Sequence, residues 1–178
     1  MEIVKNHFIP GKKVSKYKEI AKIVPEMIKM LNAGLMSNGL VVNGYGLAHN
    51  QVEDKEPMSF FVLSDKAVRE QNWPTHVIIN PQIIEPERTI SIGKVDGHDD
   101  VRSNIKSYPE ACFSFPHKAP KNVDRYYQIK VKYQVPYDKW GYVGDKMQVV
   151  EETLEGLKAH IFQHEWQHTI GENIYYSK

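Results

Sequence analysis

The chain has little that would place it outside a reducing interior. Its 178 residues include one cysteine, Cys112, so no intrachain disulfide can form and the fold must hold without cross-links. No apolar run approaches membrane-spanning length, and Met1 to Gly11 lacks the apolar centre of a signal peptide. A soluble, unsecreted protein with no membrane partner is expected. A dominant charge is missing as well: 23 basic residues meet 22 acidic ones, for a formal net charge of +1. The signs are interspersed without the basic stripe that nucleic acid needs, so no nucleic-acid partner is expected. Repeats and low-complexity tracts are absent too. Hydrophobic residues make up 41% of the chain, enough for a core, and the length predicts one domain over residues 1–178.

What the chain does have is Gln163-His164-Glu165-Trp166-Gln167-His168. An H-E-x-x-H pattern on a helix puts two imidazoles one turn apart on one face, where they can grip one metal ion with a carboxylate beside them. Counted from Glu151, the apolar positions Leu154, Leu157 and Ile161 recur at spacings of three and four, and the same stripe continues onto His164 and His168. The spacing predicts a helix with both histidines turned to the core. A hydrolytic metal site needs three protein ligands and one open position. Common zincin proteases take the third ligand from well downstream, but here only Thr169 to Lys178 remain. Glu172 is a single turn on, in a tail that reads as too short to fold back. The third ligand is therefore expected upstream, and the lone thiol of Cys112 is the candidate.

The remaining elements follow from pattern. Residues 1–16 read as an extended lead-in. Val24, Met27, Ile28 and Leu31 predict a helix with one buried face, with Pro25 near its start where proline is tolerated. Asn32 to Asn43 breaks that helix. Gly44-Tyr45-Gly46 surrounds one large residue with two that let a backbone approach something closely. Met58 to Leu63, Thr75 to Asn80 and Ile83 to Glu87 read as three strands, the last set off by Pro81 and Pro86. Arg88 to Ser107 reads as a surface excursion, in which His98, Asp99 and Asp100 are a solvated run rather than a metal cluster. Tyr108 to Pro116 reads as extended, and Ile129, Val131, Tyr133 and Val135 alternate as a half-buried strand. Gly141 to Asp145 predicts a turn and Met147 to Val150 a short strand before the metal helix. Helix, strands and helix in that order predict an α+β domain of small, mostly antiparallel sheets around a central metal-binding helix.

Three segments, GYGLAHNQ, EACFS and QHEWQH, stand in this order along the chain. Together they resemble the motifs of peptide deformylases, written GxGxAAxQ, EGCxS and HExDH, and Val77-Ile78-Ile79-Asn80-Pro81 is similar to the strand between the first two. The resemblance implies a metallohydrolase that removes the N-formyl group from formylmethionyl peptides and releases formate. It implies Cys112, His164 and His168 as metal ligands and Glu165 as general acid and base. Gln51 and the backbone N–H of Phe113 become donors to the formyl oxygen. Gly44, Tyr45, Gly46, His160 and Ile161 become substrate-binding residues, with Gly46 pairing the peptide as an added strand. Glu110, Arg125 and Gln167 give structural support, Arg125 bridging Glu110.

The implied cofactor is one divalent metal ion, Fe(II) in the cell with Zn, Ni or Co substituting. The implied partners are nascent N-formylmethionyl peptides near the ribosome exit region, in a bacterial cytoplasm or, for a phage-encoded chain, that of its host. The chain departs from the family at His49, Ala111 and Gln167, and it resembles the shortened phage forms without a C-terminal docking helix. Two rivals stand beside this reading: a zinc peptidase using the same H-E-x-x-H, and a weakened relative that binds formylated N-termini without turnover.

Overall fold

In the computed structural model, which describes residues 1–4, 8–137 and 145–176, the chain is built on a five-stranded antiparallel sheet. Its strands are β3 (Gly46–Ala48), β4 (Phe60–Leu63), β5 (Val77–Ile84), β10 (Gln128–Pro136) and β11 (Met147–Glu155), in the order β11-β10-β5-β4-β3. Two helices sandwich it. α1 (Ile23–Ala33) covers one face, where Val24, Met27 and Leu31 pack with Phe60, Val62, Val77 and Ile79. α3 (Gly156–Thr169) covers the other, where Ala159, Ile161 and Phe162 meet Phe61, Leu63, Ile78 and Tyr133. β4 lies between both helices, so all four of its residues are buried, and a run of Phe, Phe, Val and Leu replaces the alternation of a half-buried strand. β10 alternates because only one of its faces meets the core.

Two strand readings need correction. Ile83 does not open a third strand: β5 runs unbroken through Pro81, with Asn80 at φ 51° and a register shift against β10. An extra residue at that bulge accommodates a proline that a regular ladder would exclude. The metal helix also begins later than its apolar stripe implies. Residues from Met147 through Glu155 pair continuously with β10, and Leu154 is buried as a strand residue, so helix begins only at Gly156, φ +59°. The spacing of Leu154 from Leu157 was coincidental, and Leu157 lies substantially exposed rather than in the core.

Elsewhere local turn chemistry adds structure. Asn38-Gly39 closes a hairpin of β1 (Leu35–Ser37) and β2 (Leu40–Val42), within the stretch read only as a helix break. Asp96-Gly97 closes a second, of β6 (Thr89–Val95) and β7 (His98–Ser103), so the surface excursion is a largely exposed ribbon rather than a loop. His98, Asp99 and Asp100 lie on its second strand. α2 (Asp65–Gln71) has no counterpart in the sequence reading, although Ser64 caps it by accepting from Ala67 N at 3.1 Å. β8 (Ile105–Glu110) pairs with β9 (Lys121–Tyr126) and sets Lys106 opposite Arg125. The expected turn at Gly141 falls outside the described residues.

The tail also overturns its expectation. Gly171, at φ +83°, turns the chain after α3, and Tyr175 then donates to Ala119 O at 2.8 Å while Lys121 Nζ donates to Ile174 O at 2.9 Å. Positive φ at one residue is enough for so short a segment to return.

Asn80 couples the bulge to the N-terminal segment. Its side chain accepts from Val14 N (2.9 Å) and donates to Val14 O (2.8 Å) and Gln134 Oε1 (2.6 Å). Asn80→Ala should lose these bonds and disfavour the left-handed backbone, lowering stability by about 2–3 kcal/mol. Urea unfolding should show a lower midpoint at an unchanged slope.

Candidate metal centre and active site

α3 carries three histidines at successive turns, His160, His164 and His168, and hangs them on one face. The loop after β8 brings Cys112 to meet them. Its Sγ lies 3.3 Å from His168 Nε2, and the ligand atoms of Cys112, His164 and His168 all fall within 4.8 Å of one another. Cys112 and His168 are buried, and His164 nearly so. The sequence reading named these three residues, and the fold brings them together.

Glu110, at the end of β8, organises the centre. Arg125 Nε donates to its Oε1 at 2.6 Å and Nη2 to its Oε2 at 2.9 Å, a bidentate pair expected from the sequence. His164 Nδ1 donates to Oε2 at 2.8 Å, and His160 Nε2 bonds Oε1. Because the carboxylate only accepts, His164 must carry its proton on Nδ1, which leaves the Nε2 lone pair for a metal. Burial alone would raise the Glu110 carboxyl; hydrogen bonds from Arg125, His160 and His164 outweigh it and hold the group well below the usual range.

The electrostatics suit a cation. Burial would lower the His164 ring, yet Cys112 and Glu110 by hydrogen bonding, with Glu165 by charge, push it up to about 10. A field that holds a proton so firmly on an imidazole favours a divalent ion at the same place. A thiolate and two imidazoles form a donor set for Zn, Fe, Co or Ni. The residues present therefore fit a metal.

Glu165 lies on the same turn, and its Oε2 is buried with no hydrogen-bond partner among the described residues. Burial pushes its carboxyl up to about 7, with His164 opposing the rise. The double glycine has its reason here. A Cβ on Gly46 would sit 2.6 Å from Glu165 Cγ and Cδ, and one on Gly44 would sit 3.0 Å from the Phe113 ring. Only bare backbone lets β3 lie against the carboxylate.

Gln51 is buried at the end of a short 3-10 turn. Its Oε1 accepts from Ala48 N at 2.7 Å, which aims Nε2 towards Ser114 Oγ and, at 3.9 Å, Cys112 Sγ. A pocket of about 270 Å³ opens over the centre, lined by Gly44, Tyr45, Gly46, Phe113, His160 and Ile161 among others. Of the expected support residues, Gln167 is the one not brought into the network: its Oε1 is buried without a partner among the described residues. Gln163 was missed. Its amide donates to Tyr126 O (2.8 Å) and accepts from Tyr126 N (3.0 Å), pinning α3 to the strand that carries Arg125. Its place one residue before the first motif histidine was the available signal.

The polypeptide deformylase family model matches residues 4–177. The chain belongs to the polypeptide deformylase family. It is 30% identical to the peptide deformylase of Aquifex aeolicus over 163 residues, 91% of this chain and 79% of that one. It is 33% identical to that of Thermotoga petrophila over 129 residues, 72% of this chain but only 58% of the relative's length. The peptide deformylase structure from Thermotoga maritima aligns with a TM-score of 0.63 at 28% identity, covering 94% of this chain and 86% of its own. The enzyme from Vibrio parahaemolyticus bacteriophage VP16T, at 24% identity, shares the fold with a TM-score of 0.64, over 98% of this chain and 100% of its own. The α+β architecture expected from the sequence is that of peptide deformylases, a metal-dependent family.

Two substitutions probe the centre. Gly46→Ala should displace Glu165 and cut formate release from a formylated peptide at least tenfold, while circular dichroism stays that of the parent. Glu110→Gln should destabilise by about 3 kcal/mol at neutral pH, because it leaves Arg125 buried without its carboxylate. The depressed carboxyl of Glu110 stabilises fully above its unfolded value and loses that contribution as pH falls towards the folded one. The gap between parent and variant in thermal midpoint should therefore narrow below about pH 4.5.

Proposed function

We propose that residues 1–178 act as one catalytic domain that removes the N-formyl group from the formylmethionine of newly made polypeptides. The observation that carries this reading is the convergence of Cys112, His164 and His168 beside a buried Glu165, in a chain of the polypeptide deformylase family. Cys112 Sγ and one ring nitrogen each of His164 and His168 hold the ion. A divalent metal bound there supplies Lewis-acid polarisation of water and of the formyl oxygen. Fe(II) is the native ion, with Zn, Ni or Co able to replace it.

Glu165 takes a proton from the attacking water as the new C–O bond forms at the formyl carbon. The amide of Gln51 and the backbone N–H of Phe113 receive the negative charge that develops on the formyl oxygen. As the C–N bond breaks, Glu165 hands its proton to the departing α-amine, leaving formate and a free N-terminus. A carboxyl poised near pH 7 can both take and give that proton. The backbone at Gly44 and Tyr45, leading into the edge strand β3 at Gly46, pairs with the peptide, and the pocket lined by His160 and Ile161 receives the methionine side chain.

No described helix is long and apolar enough to cross a membrane. With the lone thiol, this supports action in the cytoplasm, where nascent chains leave the ribosome.

The test is anaerobic purification, metal analysis, then formate release from formyl-Met-Ala-Ser. The loaded protein should hold one ion per chain and turn over the formylated tripeptide but not its unmodified counterpart. Cleavage of unmodified peptide bonds would make it a peptidase, and binding without formate release a binding protein. Glu165→Ala should retain the metal and lose roughly 10²–10⁴-fold in kcat.

A further inference from the structure

Of the three histidines on the inner face of α3, the first is neither a candidate ligand nor adjacent to one in sequence, yet it is almost fully buried. His160 forms part of the pocket wall, where an aliphatic side chain would serve without needing a partner. Instead its Nε2 bonds Glu110 Oε1, and its Nδ1 is sealed with no hydrogen-bond partner among the described residues. A buried imidazole with one ring nitrogen unsatisfied is costly as wall material. The ring is further held by Tyr108, with centroids 4.5 Å apart.

The destination of the satisfied nitrogen explains the arrangement. Glu110 Oε2 accepts from Arg125 Nη2 at 2.9 Å and from His164 Nδ1 at 2.8 Å, while Oε1 accepts from Arg125 Nε at 2.6 Å. Arg125 alone would hold the carboxylate by one edge and let it swing about that edge. His160 and His164, one turn apart on α3, each take one oxygen of the same carboxylate, so the helix itself fixes the carboxylate plane. Fixing Oε1 through His160 thus also fixes Oε2, the oxygen that sets the His164 ring.

We propose that His160 is a positioning residue for the metal centre, acting through Glu110 to hold His164 in the orientation and tautomer that present Nε2 to the ion. This rests on the metal-hydrolase reading above. Partners of a ligating histidine commonly change metal affinity 10–100-fold when removed, and His160 stands one bond further out.

The test uses Co(II), whose absorption reports thiolate and imidazole coordination, titrated anaerobically into full-length protein against a chelator of known affinity. The parent must bind Co(II) and release formate from formyl-Met-Ala-Ser; if it does neither, the metal-hydrolase reading itself fails. Given a competent parent, His160→Leu should weaken Co(II) about tenfold and shift its visible bands. His160→Gln, which keeps a donor for Glu110, should recover most of that loss. In a cycle with Glu110→Gln, loss of His160 should add little further, because both act through one carboxylate.

Parent-like Co(II) affinity and spectrum in His160→Leu, with only the KM for formyl-Met peptides changed, would overturn the proposal and leave His160 as pocket wall. So would full additivity in the cycle. Should His160→Leu fail to fold by circular dichroism, His160→Gln and His160→Asn carry the same comparison, and equal losses in both would count against a hydrogen-bond role.

Discussion

The centre depends on one buried carboxylate being saturated with donors. Glu110 lies in a pocket where an unpaired charge would be untenable, and four N–H groups from three side chains hold it ionised. The donors come from two parts of the chain. Arg125 is brought by the β8–β9 hairpin, whose register sets it opposite Lys106. His160 and His164 are brought by α3, which is in turn pinned to the end of β9 by Gln163. A hairpin and a helix far apart in sequence therefore meet at a single acidic group. Cys112, two residues beyond that group, is carried to His168 as a consequence.

Backbone proximity is the second constraint. β3 is one of the two edge strands of the main sheet, and it approaches α3 so closely that Gly46 has no space for a side chain beside Glu165. Among the described residues no further strand pairs with β3 on its outer side, the side to which the proposed peptide strand would add. One geometric fact thus serves two ends. The bare backbone at Gly46 gives the carboxylate room, and under the proposed function it also lets a peptide approach that carboxylate.

Much of this was legible in residues whose chemistry is local. Two histidines four apart with a glutamate between them predict a helix face without reference to the fold, and a lone cysteine is easily singled out. Arg125 could be paired with Glu110 through the resemblance of the motifs. Non-local matters were harder. The stripe from Leu154 fits a helix by spacing, but nine residues of pairing with β10 decide it as strand. Pro81 looks like a strand terminator until the bulge at Asn80 is known. Both hairpins, by contrast, carry readable signals in Asn38-Gly39 and Asp96-Gly97, within stretches that read only as a helix break and a surface excursion. The bond from His160 to Glu110 has no signal in the sequence except a polar residue where an apolar pocket for methionine is expected, since it depends on where β8 ends.

Gln167 shows how the charges of the centre balance. In the family motif this position is acidic, and here it is an amide whose buried oxygen finds no donor among the described residues. A carboxylate in its place would be a second buried negative charge. The guanidinium of Arg125 is already committed to Glu110 through two of its nitrogens. An uncompensated buried carboxylate costs far more than an amide oxygen with one bond unmade. With glutamine at 167, one arginine meets one carboxylate and those two charges cancel. Cys112 and Glu165 both line the pocket beside His164, and as metal-binding thiolate and carboxylate each would bring a negative charge there. Cys112 clusters with His164 and His168, so a divalent cation held by those three would offset such charge. Gln167 thus adds no charge beside the Arg125–Glu110 pair, whose carboxylate is satisfied by its bonds to Arg125, His160 and His164.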